Sequence, residues 1–412
     1  MKNYWFYFEP YTFIFHSDAT GRRVIYNTLN SAYLPVPESD FIANLLERLD
    51  DASNGYCVTL TEEEIAGNTP FKDFAGQIAK TFSGGLMEAV EGETKPFLFK
   101  PMLFLNAEIR KAKEEDISFL GERILENLNE VTLYLPGKGC APQENLYCKQ
   151  LIYPISWQGK ASLSVSDYLA LLLDLGTSGV DKVNILGGDL SPEGILPELL
   201  PTLKHGKFKK VFYISLDELN ESCLSWLEDE QAEIVVWVSP SGNKERLETQ
   251  MHRFASEKVI WKWIVASEDD IAAIDKFMVP EPVNMEMIPL YTGKNLLFFE
   301  KYVFNSLDDI LEEPVSRKTV FRRQTLNENF FGKLTIFPDG EVYANLNFSP
   351  IGKYPQQSLK ELAFKELTQP TAWFYLRDQS SPCAYCVNRY LCPSPSNYEL
   401  AMNKANLCTI IK

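Results

Sequence analysis

The sequence predicts an α/β protein organised around parallel strands, and two strand-and-turn pairs support this prediction. Apolar runs at 131–135 and 182–186 each lead into a glycine-containing turn, and the run at 165–175 between them has helical spacing. Parallel strands joined by a helix place both turns at one sheet edge, where α/β proteins carry their functional loops. Continued alternation downstream predicts about six βα units, which indicates a partial barrel and not a closed eightfold one.

Length, composition and charge narrow the function. A chain of 412 residues with 45% hydrophobic and 13% aromatic content indicates two or three globular domains and excludes a disordered protein. No apolar run reaches the roughly 18–20 residues that a membrane span needs, and Glu9-Pro10 interrupts any signal-peptide pattern, so we expect a cytoplasmic protein. The net charge of −16 disfavours nucleic acid and anionic membranes as partners.

Residues 1–90 are predicted to form a first domain of three short strands followed by three helices. The pair Ser39-Asp40 is a typical helix start, and Thr61 with Glu64 fits a capping box. The pair Gly84-Gly85 ends the third helix and leads into a return strand or linker. The predicted strands are 4–8, 11–16 and 23–28, and the predicted helices are 39–49, 61–66 and 71–82.

Residues 91–312 are predicted to form the barrel-like α/β domain. A linker at 91–100, an extra strand at 97–104 and a helix at 116–127 precede it, and a loop and helix at 291–311 close it. The strands are rich in Val, Ile and Trp, as expected for strands covered on both faces. The predicted strands are 131–135, 182–186, 210–215, 233–239, 258–266 and 284–288, and the helices between them include 193–203, 222–229, 243–255 and 269–277.

Residues 313–412 are predicted to form a small third domain with most of the clustered cysteines. It begins with a β-hairpin at 331–345 whose turn is Pro338-Asp339-Gly340. Four of the eight cysteines follow, with two, five and fifteen residues between successive thiols. Four thiolates in such a set suit zinc or a [4Fe–4S] cluster in a closed site, and free or disulfide-bonded cysteines remain an alternative. The predicted metal ligands are Cys383, Cys386, Cys392 and Cys408.

The strand-and-turn pairs resemble the start of a radical SAM domain, but the cluster loop departs from that family. The family loop carries three thiolates spaced CX3CX2C. Aligning it on Leu146-Tyr147-Cys148 places Ala141 and Asn145 at the other two ligand positions, and Cys140 one residue out of register. The departures imply that no residue here is catalytic. Cys140 and Cys148 are then two ordinary cysteines in a loop. The alternatives are an unusual cluster completed by a remote ligand and a local disulfide.

The turn Gly187-Gly188-Asp189 resembles the Gly-Gly-Glu-Pro turn with which the family holds S-adenosylmethionine. Asp189 is one methylene shorter than the family's glutamate, and Leu190 replaces the proline that would fix the turn. Gly187, Gly188 and Asp189 are therefore a degenerate cofactor turn, and S-adenosylmethionine is not expected to be bound.

The C-terminal third resembles the SPASM or twitch extension of peptide-modifying radical SAM enzymes. The resemblance implies that Cys383, Cys386, Cys392 and Cys408 ligate one auxiliary [4Fe–4S] cluster, with zinc as the alternative. Asn345 and Ser396 stand where ligands of a further auxiliary cluster are expected. One cluster with four protein ligands is structural or relays electrons, because it has no open position for a substrate.

The first domain resembles winged-helix domains that recognise precursor peptides in modified-peptide pathways. Those domains bind a leader peptide as an added strand against the third strand and third helix. A purely structural role and DNA binding are the alternatives, although the third predicted helix has only Lys72 and Lys80 as positive charges.

Together these features resemble the pseudo-radical-SAM proteins of bacterial ribosomal-peptide gene clusters. The resemblance implies a non-catalytic protein that binds a precursor peptide, an authentic radical SAM enzyme, or both, to assist peptide modification. The alternatives are an active radical SAM enzyme with an unconventional barrel cluster and a zinc-stapled adaptor.

Overall fold

The computed structural model describes most of the 412-residue chain. The predicted strand at 97–104 and most of the predicted helix at 116–127 lie outside the described residues. The described residues are 2–90, 95, 124–137, 145–155, 161, 163–187, 190, 194–239, 242, 244–277 and 283–410.

The first ninety residues form two small antiparallel sheets with three helices. One sheet has the strand order β5-β1-β6 and the other has the order β2-β3-β4. Ser39 caps the first helix, and Thr61 and Glu64 form the predicted capping box. The strands are β1 (Asn3–Phe8), β2 (Thr12–His16), β3 (Arg23–Asn27), β4 (Tyr33–Pro35), β5 (Cys57–Thr61) and β6 (Gly84–Ala89), and the helices are α1 (Asp40–Asp50), α2 (Glu62–Ala66) and α3 (Thr69–Lys80).

Strand pairing in this region differs from the simple order of three strands and then three helices. Strand β1 lies between β5 and β6 and does not pair with β2. Phe6 and Phe8 lie on one face of β1 and are buried in a core that α1 and α3 complete. The strand β5 was not predicted. Gly84 and Gly85 begin β6, and a Cβ on Gly84 would lie 2.1 Å from the Tyr7 carbonyl oxygen, so the close approach to β1 requires glycine.

The sheet β2-β3-β4, which we call the coupling sheet, packs on both of its faces. Ile14, Ile25 and Leu34 point to the core of α1 and α3. Phe13, Phe15, Tyr26 and Tyr33 alternate with them and contact a different apolar cluster, formed with C-terminal residues that include Val320, Leu391 and Cys392. The period-two alternation of strand side chains thus joins two distant parts of the chain.

The α/β region contains the predicted parallel sheet. In the described part of the chain this sheet has nine strands in the order β12-β11-β10-β9-β8-β7-β13-β14-β15. All neighbouring strands from β7 to β12 pair in parallel, as predicted. The strands are β7 (Glu130–Tyr134), β8 (Lys182–Leu186), β9 (Lys209–Ser215), β10 (Ala232–Val238), β11 (Val259–Val265), β12 (Asn284–Pro289), β13 (Lys333–Ile336), β14 (Glu341–Tyr343) and β15 (Gly352–Lys353).

The predicted C-terminal hairpin is β13 and β14, and it extends the main sheet. Strand β13 pairs in parallel with β7, with Thr335 opposite Thr132, while β14 pairs with β13 in antiparallel fashion. Residues beyond the expected boundary at 312 thus continue the α/β sheet. The three domain ranges stay predictions.

Helices cover one face of the main sheet. Leu171, Leu172 and Leu175 recur at helical spacing and join a core with Val131 and Val183 from the strands. The run predicted as a helix at 222–229 is a 3₁₀ helix, Glu221–Glu228. The remaining helices are α4 (Asn145–Gln150), α5 (Val165–Gly176), α6 (Leu196–His205), α7 (Lys244–Arg253), α8 (Glu268–Ile274), α9 (Leu296–Tyr302), α10 (Leu307–Glu312), α11 (Arg317–Thr325), α12 (Leu359–Thr368) and α13 (Asn397–Met402). No described helix combines the length and apolar character that crossing a membrane requires.

Candidate functional site

The structure brings together the four C-terminal cysteines that the sequence singles out. They line one small cavity of about 20 Å³, and we call this group the thiol site. Cys383 begins a single 3₁₀ turn, and the backbone N–H of Cys386 donates to the Cys383 carbonyl at 2.9 Å. That turn explains the two-residue spacing. The thiol site consists of Cys383, Cys386, Cys392 and Cys408.

Cys408 reaches the thiol site through pairing with a distant segment. The Asn305 N–H donates to the Leu407 carbonyl at 3.0 Å, and the Thr409 N–H donates to the Asn305 carbonyl at 3.0 Å. These bonds form a single parallel bridge between Asn305 and Cys408. The fifteen residues between Cys392 and Cys408 include α13, which returns the chain to the cavity.

Three of the four sulfur atoms accept a hydrogen bond from an N–H group. Arg377 Nη1 lies 3.4 Å from Cys383 Sγ, the Asn388 N–H donates to Cys386 Sγ at 3.4 Å, and Asn406 Nδ2 lies 3.5 Å from Cys408 Sγ. Donors of this kind favour a charged thiolate, and in metal sites they orient the ligands and tune the bound group.

Arg377 lies beside the thiol site, and the sequence did not indicate it. Its Nη2 donates to Glu399 Oε1 at 2.9 Å, and the two side chains are only 12% and 4% exposed. Burial lowers the pKa of Arg377, but Glu399 and the thiols outweigh this effect and raise it overall, so the guanidinium stays charged. Arg377 and Glu399 belong to no recognisable motif with the cysteines, so the sequence gave no reason to select them.

Burial raises the pKa of Cys383, Cys386 and Cys392. The pKa values of Cys383 and Cys386 are raised mainly by burial, and burial raises the pKa of Cys392 to about 12. These thiols are therefore protonated near neutral pH in the protein alone. Metal binding needs thiolates, so it would release protons from this site.

Four cysteine thiols are a donor set that suits either a zinc ion or a [4Fe–4S] cluster. Among the described residues, no group of three or more His, Cys, Asp and Glu side chains is arranged to hold one metal ion. Four thiolates around one zinc, at about 2.3 Å from it, lie roughly 4 Å from each other. A four-iron cluster does not require such convergence, because each thiolate binds a different iron. The cavity of about 20 Å³ is smaller than a [4Fe–4S] cluster. It shows which side chains surround the site, but it does not give the volume of the site with a metal group bound.

The cluster loop and cofactor turn predicted from the sequence are only partly described. Cys140, Ala141, Gly188 and Asp189 lie outside the described residues, and Asn145 is described only as the first residue of α4. Cys148 is buried on α4 and contributes to the raised pKa of Tyr134, whose main cause is burial. These residues do not establish a cofactor site.

Gly187 has a backbone conformation that requires glycine. Its φ is +73°, and a Cβ there would lie 3.0 Å from Tyr134 Cδ1 and 3.5 Å from the Ile155 carbonyl oxygen. The start of the cofactor-like turn therefore packs against this chain's own residues.

The sheet face that carries Tyr134 is filled by aromatic rings and a covering segment. Tyr134 stacks on Phe337 with ring centres 4.5 Å apart. Its hydroxyl donates to the Tyr153 carbonyl at 2.9 Å, and Trp237 Nε1 donates to the Ile152 carbonyl at 3.0 Å. We call this the aromatic face. Residues 151–155 lie across it, at the strand ends where an α/β protein would hold a ligand.

The other end of the same face carries ion pairs. Glu130 has a side chain only 9% exposed, and it binds Lys182 at 2.8 Å and Lys333 at 3.5 Å. Asn184 Nδ2 also donates to Glu130 Oε1 at 2.6 Å. Burial raises the pKa of Glu130. Lys333, Lys182 and the hydrogen bonds together lower it by more, so the net pKa is below the ordinary value of 4.5. One nearly buried carboxylate at this end is thus paired with two lysines.

A second candidate surface is the outer edge of β6. Strand β6 pairs with β1 on one side and has no strand partner on the other side among the described residues. Large apolar side chains are exposed along it and beside it. They are Phe82 (71%), Leu86 (37%), Met87 (42%) and Val90 (58%).

The expectation that an added strand would pair with the third predicted strand is not met by the structure. The strand predicted at 23–28 is β3, which pairs with both β2 and β4 and has no free edge. Strand β6 follows α3 directly and contacts it. Helix α3 and strand β6 therefore border the open edge.

Comparison with known proteins gives similarity of fold only. No protein-family model matches the sequence, and no curated protein matches it either. Streptococcus suis SuiB bound to its precursor peptide SuiA is similar at 12% identity, with a TM-score of 0.47 and 98% of each chain covered. SuiB bound to S-adenosylmethionine is similar at 12% identity, with a TM-score of 0.45 and 97% of each chain covered. The radical SAM enzyme coproporphyrinogen III oxidase (HemN) of Escherichia coli matches at 10% identity with a TM-score of 0.36, over 67% of this chain and 79% of that chain. No residue role is carried over from these structures.

Proposed function

We propose that the protein is a non-catalytic peptide-binding protein that assists modification of a ribosomal precursor peptide. The observation that carries this proposal is the open, apolar edge of β6 beside α3. An exposed edge strand presents unpaired backbone donors and acceptors, and such an edge normally carries charges or proline to prevent pairing. Strand β6 has one charged residue, Glu88, whose carboxylate pairs with Lys2 at 2.9 Å. Its exposed apolar residues, Leu86 and Met87, suit an added strand.

The two faces of β6 give such a strand side-chain contacts as well as backbone bonds. Leu86 lies opposite Phe6, so it is on the face of the buried core, whereas Met87 lies opposite Trp5 on the other face. An extended peptide would place alternate side chains against these two faces, and its backbone would supply most of the affinity.

The aromatic face supports a non-catalytic role. A radical SAM enzyme needs three thiolates at its barrel loop and an open cofactor position. Ala141 and Asn145 cannot supply thiolates, and residues 151–155 cover the strand ends that carry Tyr134 and Trp237. The barrel region would then act as a scaffold or as a surface for an authentic radical SAM enzyme.

We also propose that the thiol site holds one [4Fe–4S] cluster. Cys383, Cys386, Cys392 and Cys408 would be its ligands, and the N–H groups of Arg377, Asn388 and Asn406 would stabilise the thiolate charge. Such a group could hold the C-terminal segments together or pass electrons. Zinc at the same thiols is the alternative.

The test of peptide binding begins with a search for a short peptide-encoding gene beside this one, and the leader segment of its product is the labelled probe. Fluorescence anisotropy of the labelled peptide with the full-length protein should show saturable binding. Leu86→Asp should weaken it about tenfold or more, because a charge replaces an apolar contact at the added strand. Leu297→Asp is the matched control, since Leu297 is 81% exposed on α9 and away from β6. Absence of binding, or equal effects of both changes, would refute the proposal.

Non-catalysis is tested by titrating the anaerobically reconstituted protein with S-adenosylmethionine in a calorimeter. We expect no binding, and no cofactor cleavage when a reductant is added. Cleavage would instead support an active enzyme with an unconventional barrel cluster.

A further inference from the structure

The coupling sheet contacts both the thiol site and the start of β6. We propose that metal occupancy of the thiol site controls the order of the β6 edge through this sheet. The part of the proposal that concerns peptides rests on the function proposed above, whereas the structural coupling does not.

Asn388 links the thiols to the coupling sheet. Its backbone N–H donates to Cys386 Sγ at 3.4 Å, and its carbonyl accepts the N–H of Cys392 at 3.0 Å. Its buried side chain accepts a hydrogen bond from the Tyr33 hydroxyl at 3.0 Å. One residue thus contacts two ligand positions and strand β4.

Two further hydrogen bonds join the loop that carries these thiols to strand β2 and its end. Ser17 Oγ donates to the Tyr385 carbonyl at 2.5 Å, and Arg389 Nη1 donates to the His16 carbonyl at 3.0 Å. Tyr385 lies between Cys383 and Cys386. Displacement of this loop would therefore break bonds to the coupling sheet.

Apolar packing follows the same path. Phe15 contacts Tyr390 with ring centres 5.9 Å apart, and Phe13 contacts Phe321 at 5.4 Å. Cys392 itself lies in the apolar cluster that contains Phe13, Phe15 and Tyr26. Packed clusters of this kind have few alternative arrangements, so a shift of the thiol loop is passed on to the sheet.

The end of the coupling sheet that carries Thr12 and Asn27 fixes the turn that begins β6. Asn27 Nδ2 and Asn30 Nδ2 both donate to the Thr81 carbonyl, at 2.9 and 2.8 Å. Thr12 Oγ1 donates to the Ser83 carbonyl at 2.8 Å, and the Tyr11 hydroxyl donates to the Phe82 carbonyl at 3.0 Å. Three successive carbonyls before Gly84 are thus held by side chains of this sheet or its flanking turns.

The two sets of contacts give a thermodynamic coupling with a defined sign. Metal that binds only when the loop is in place stabilises that position, and with it the docked sheet and the turn at 81–83. By reciprocity, a peptide that orders β6 should tighten metal binding by the same factor by which metal tightens peptide binding.

Hydrogen–deuterium exchange of the full-length protein tests the coupling without any peptide. The protein is compared after anaerobic loading with ferrous iron and sulfide and after removal of metal by a chelator. Exchange in segments 12–35 and 81–90 should be about tenfold slower in the loaded protein. Strand β11, which is remote from the coupling sheet, should exchange equally in both states and serves as the internal control.

The variant Tyr33→Phe separates coupling from metal binding. It removes one hydroxyl and leaves every thiol in place, so iron content should be retained while the difference in exchange at 81–90 shrinks. A double change with Ser17→Ala should reduce it further. Tyr302→Phe, at an exposed tyrosine of α9, is the matched control and should behave as the unaltered protein.

Three outcomes would overturn the proposal. These are equal exchange at 81–90 with and without metal, failure of the thiol site to take up iron, and an undiminished difference in the double variant. A protein that shows the metal-dependent exchange but binds no leader peptide would refute the proposed function and leave the coupling intact.

Discussion

Arg377 and Glu399 form an ion pair of 2.9 Å beside the thiol site, with both side chains almost entirely buried. The same guanidinium donates to Cys383 Sγ at 3.4 Å and to the Pro393 carbonyl at 2.5 Å. Glu399 in turn accepts the Ser396 N–H at 2.5 Å, at the start of α13. One ion pair thus fixes the 3₁₀ turn of Cys383 and the helix that leads toward Cys408.

Replacing Arg377 should destabilise the C-terminal region strongly. Arg377→Met leaves Glu399 buried without its cation, and loss of one partner from a buried pair costs about 3–5 kcal/mol. Denaturant titration followed by tryptophan fluorescence measures the loss. Arg253→Met, which breaks the exposed pair with Glu221, is the control and should have a much smaller effect. Similar losses in both variants would contradict the importance of the buried pair.

Mutation of a thiol ligand should remove bound iron. Anaerobically reconstituted protein should contain about four irons per chain, and Cys383→Ser should lose most of them because a serine hydroxyl is a poor substitute for a thiolate. Iron and sulfide analysis together with the visible absorption spectrum measure the change. Cys57→Ser, at a buried cysteine of β5, should keep its iron. Zinc found in place of iron would favour the adaptor alternative.

The cluster around Glu130 should make stability depend on pH in acid. The folded-state pKa of Glu130 lies below its ordinary value of 4.5. Its stabilising contribution is therefore complete above about pH 4.5 and is lost as the pH falls through the lower, folded-state pKa. Glu130→Gln should lower stability at neutral pH and flatten the decline in acid. Unfolding midpoints from neutral pH into acid measure this, with Glu228→Gln, at an exposed glutamate, as the control.

Substitution of Gly187 should disturb the turn that packs on the aromatic face. Gly187→Ala places a Cβ in a left-handed backbone conformation, which costs about 1–2 kcal/mol, and crowds Tyr134. Gly176→Ala, at the end of α5 with open space around it, should cause no loss. Thermal unfolding of both variants gives the comparison. Equal stability of the two would mean that the turn adapts without strain.

Local sequence patterns predicted much of the α/β region. The six parallel strands were recognised because runs such as 234–238 are apolar, largely β-branched and buried. The capping box of Thr61 and Glu64 was recognised because it depends on residues three apart. The proximity of Cys383 and Cys386 likewise follows from a single turn, although the role of the thiols as ligands remains a prediction.

Long-range pairing could not be predicted from the same patterns. The pairing of β1 with β5 and β6 depends on where helices α1 and α3 bury Phe6 and Phe8. The placement of Arg377 against Cys383 and Glu399 depends on three separate segments. In both cases the local preference for strand or turn would be the same without the distant partner, so it cannot reveal which partner is chosen.

The sequence alone determined the parallel α/β framework and the set of four C-terminal cysteines, and it predicted a cluster loop in which Ala141 and Asn145 replace thiolates. Each of these depends only on residue type and on short spacings along the sequence. Only the tertiary structure decided that β6 is an edge strand among the described residues, and that residues 151–155 cover the aromatic face. It also decided that the coupling sheet contacts both the thiol site and the start of β6. The physical reason is that burial and hydrogen bonding between distant segments choose one pairing among many that local preference allows.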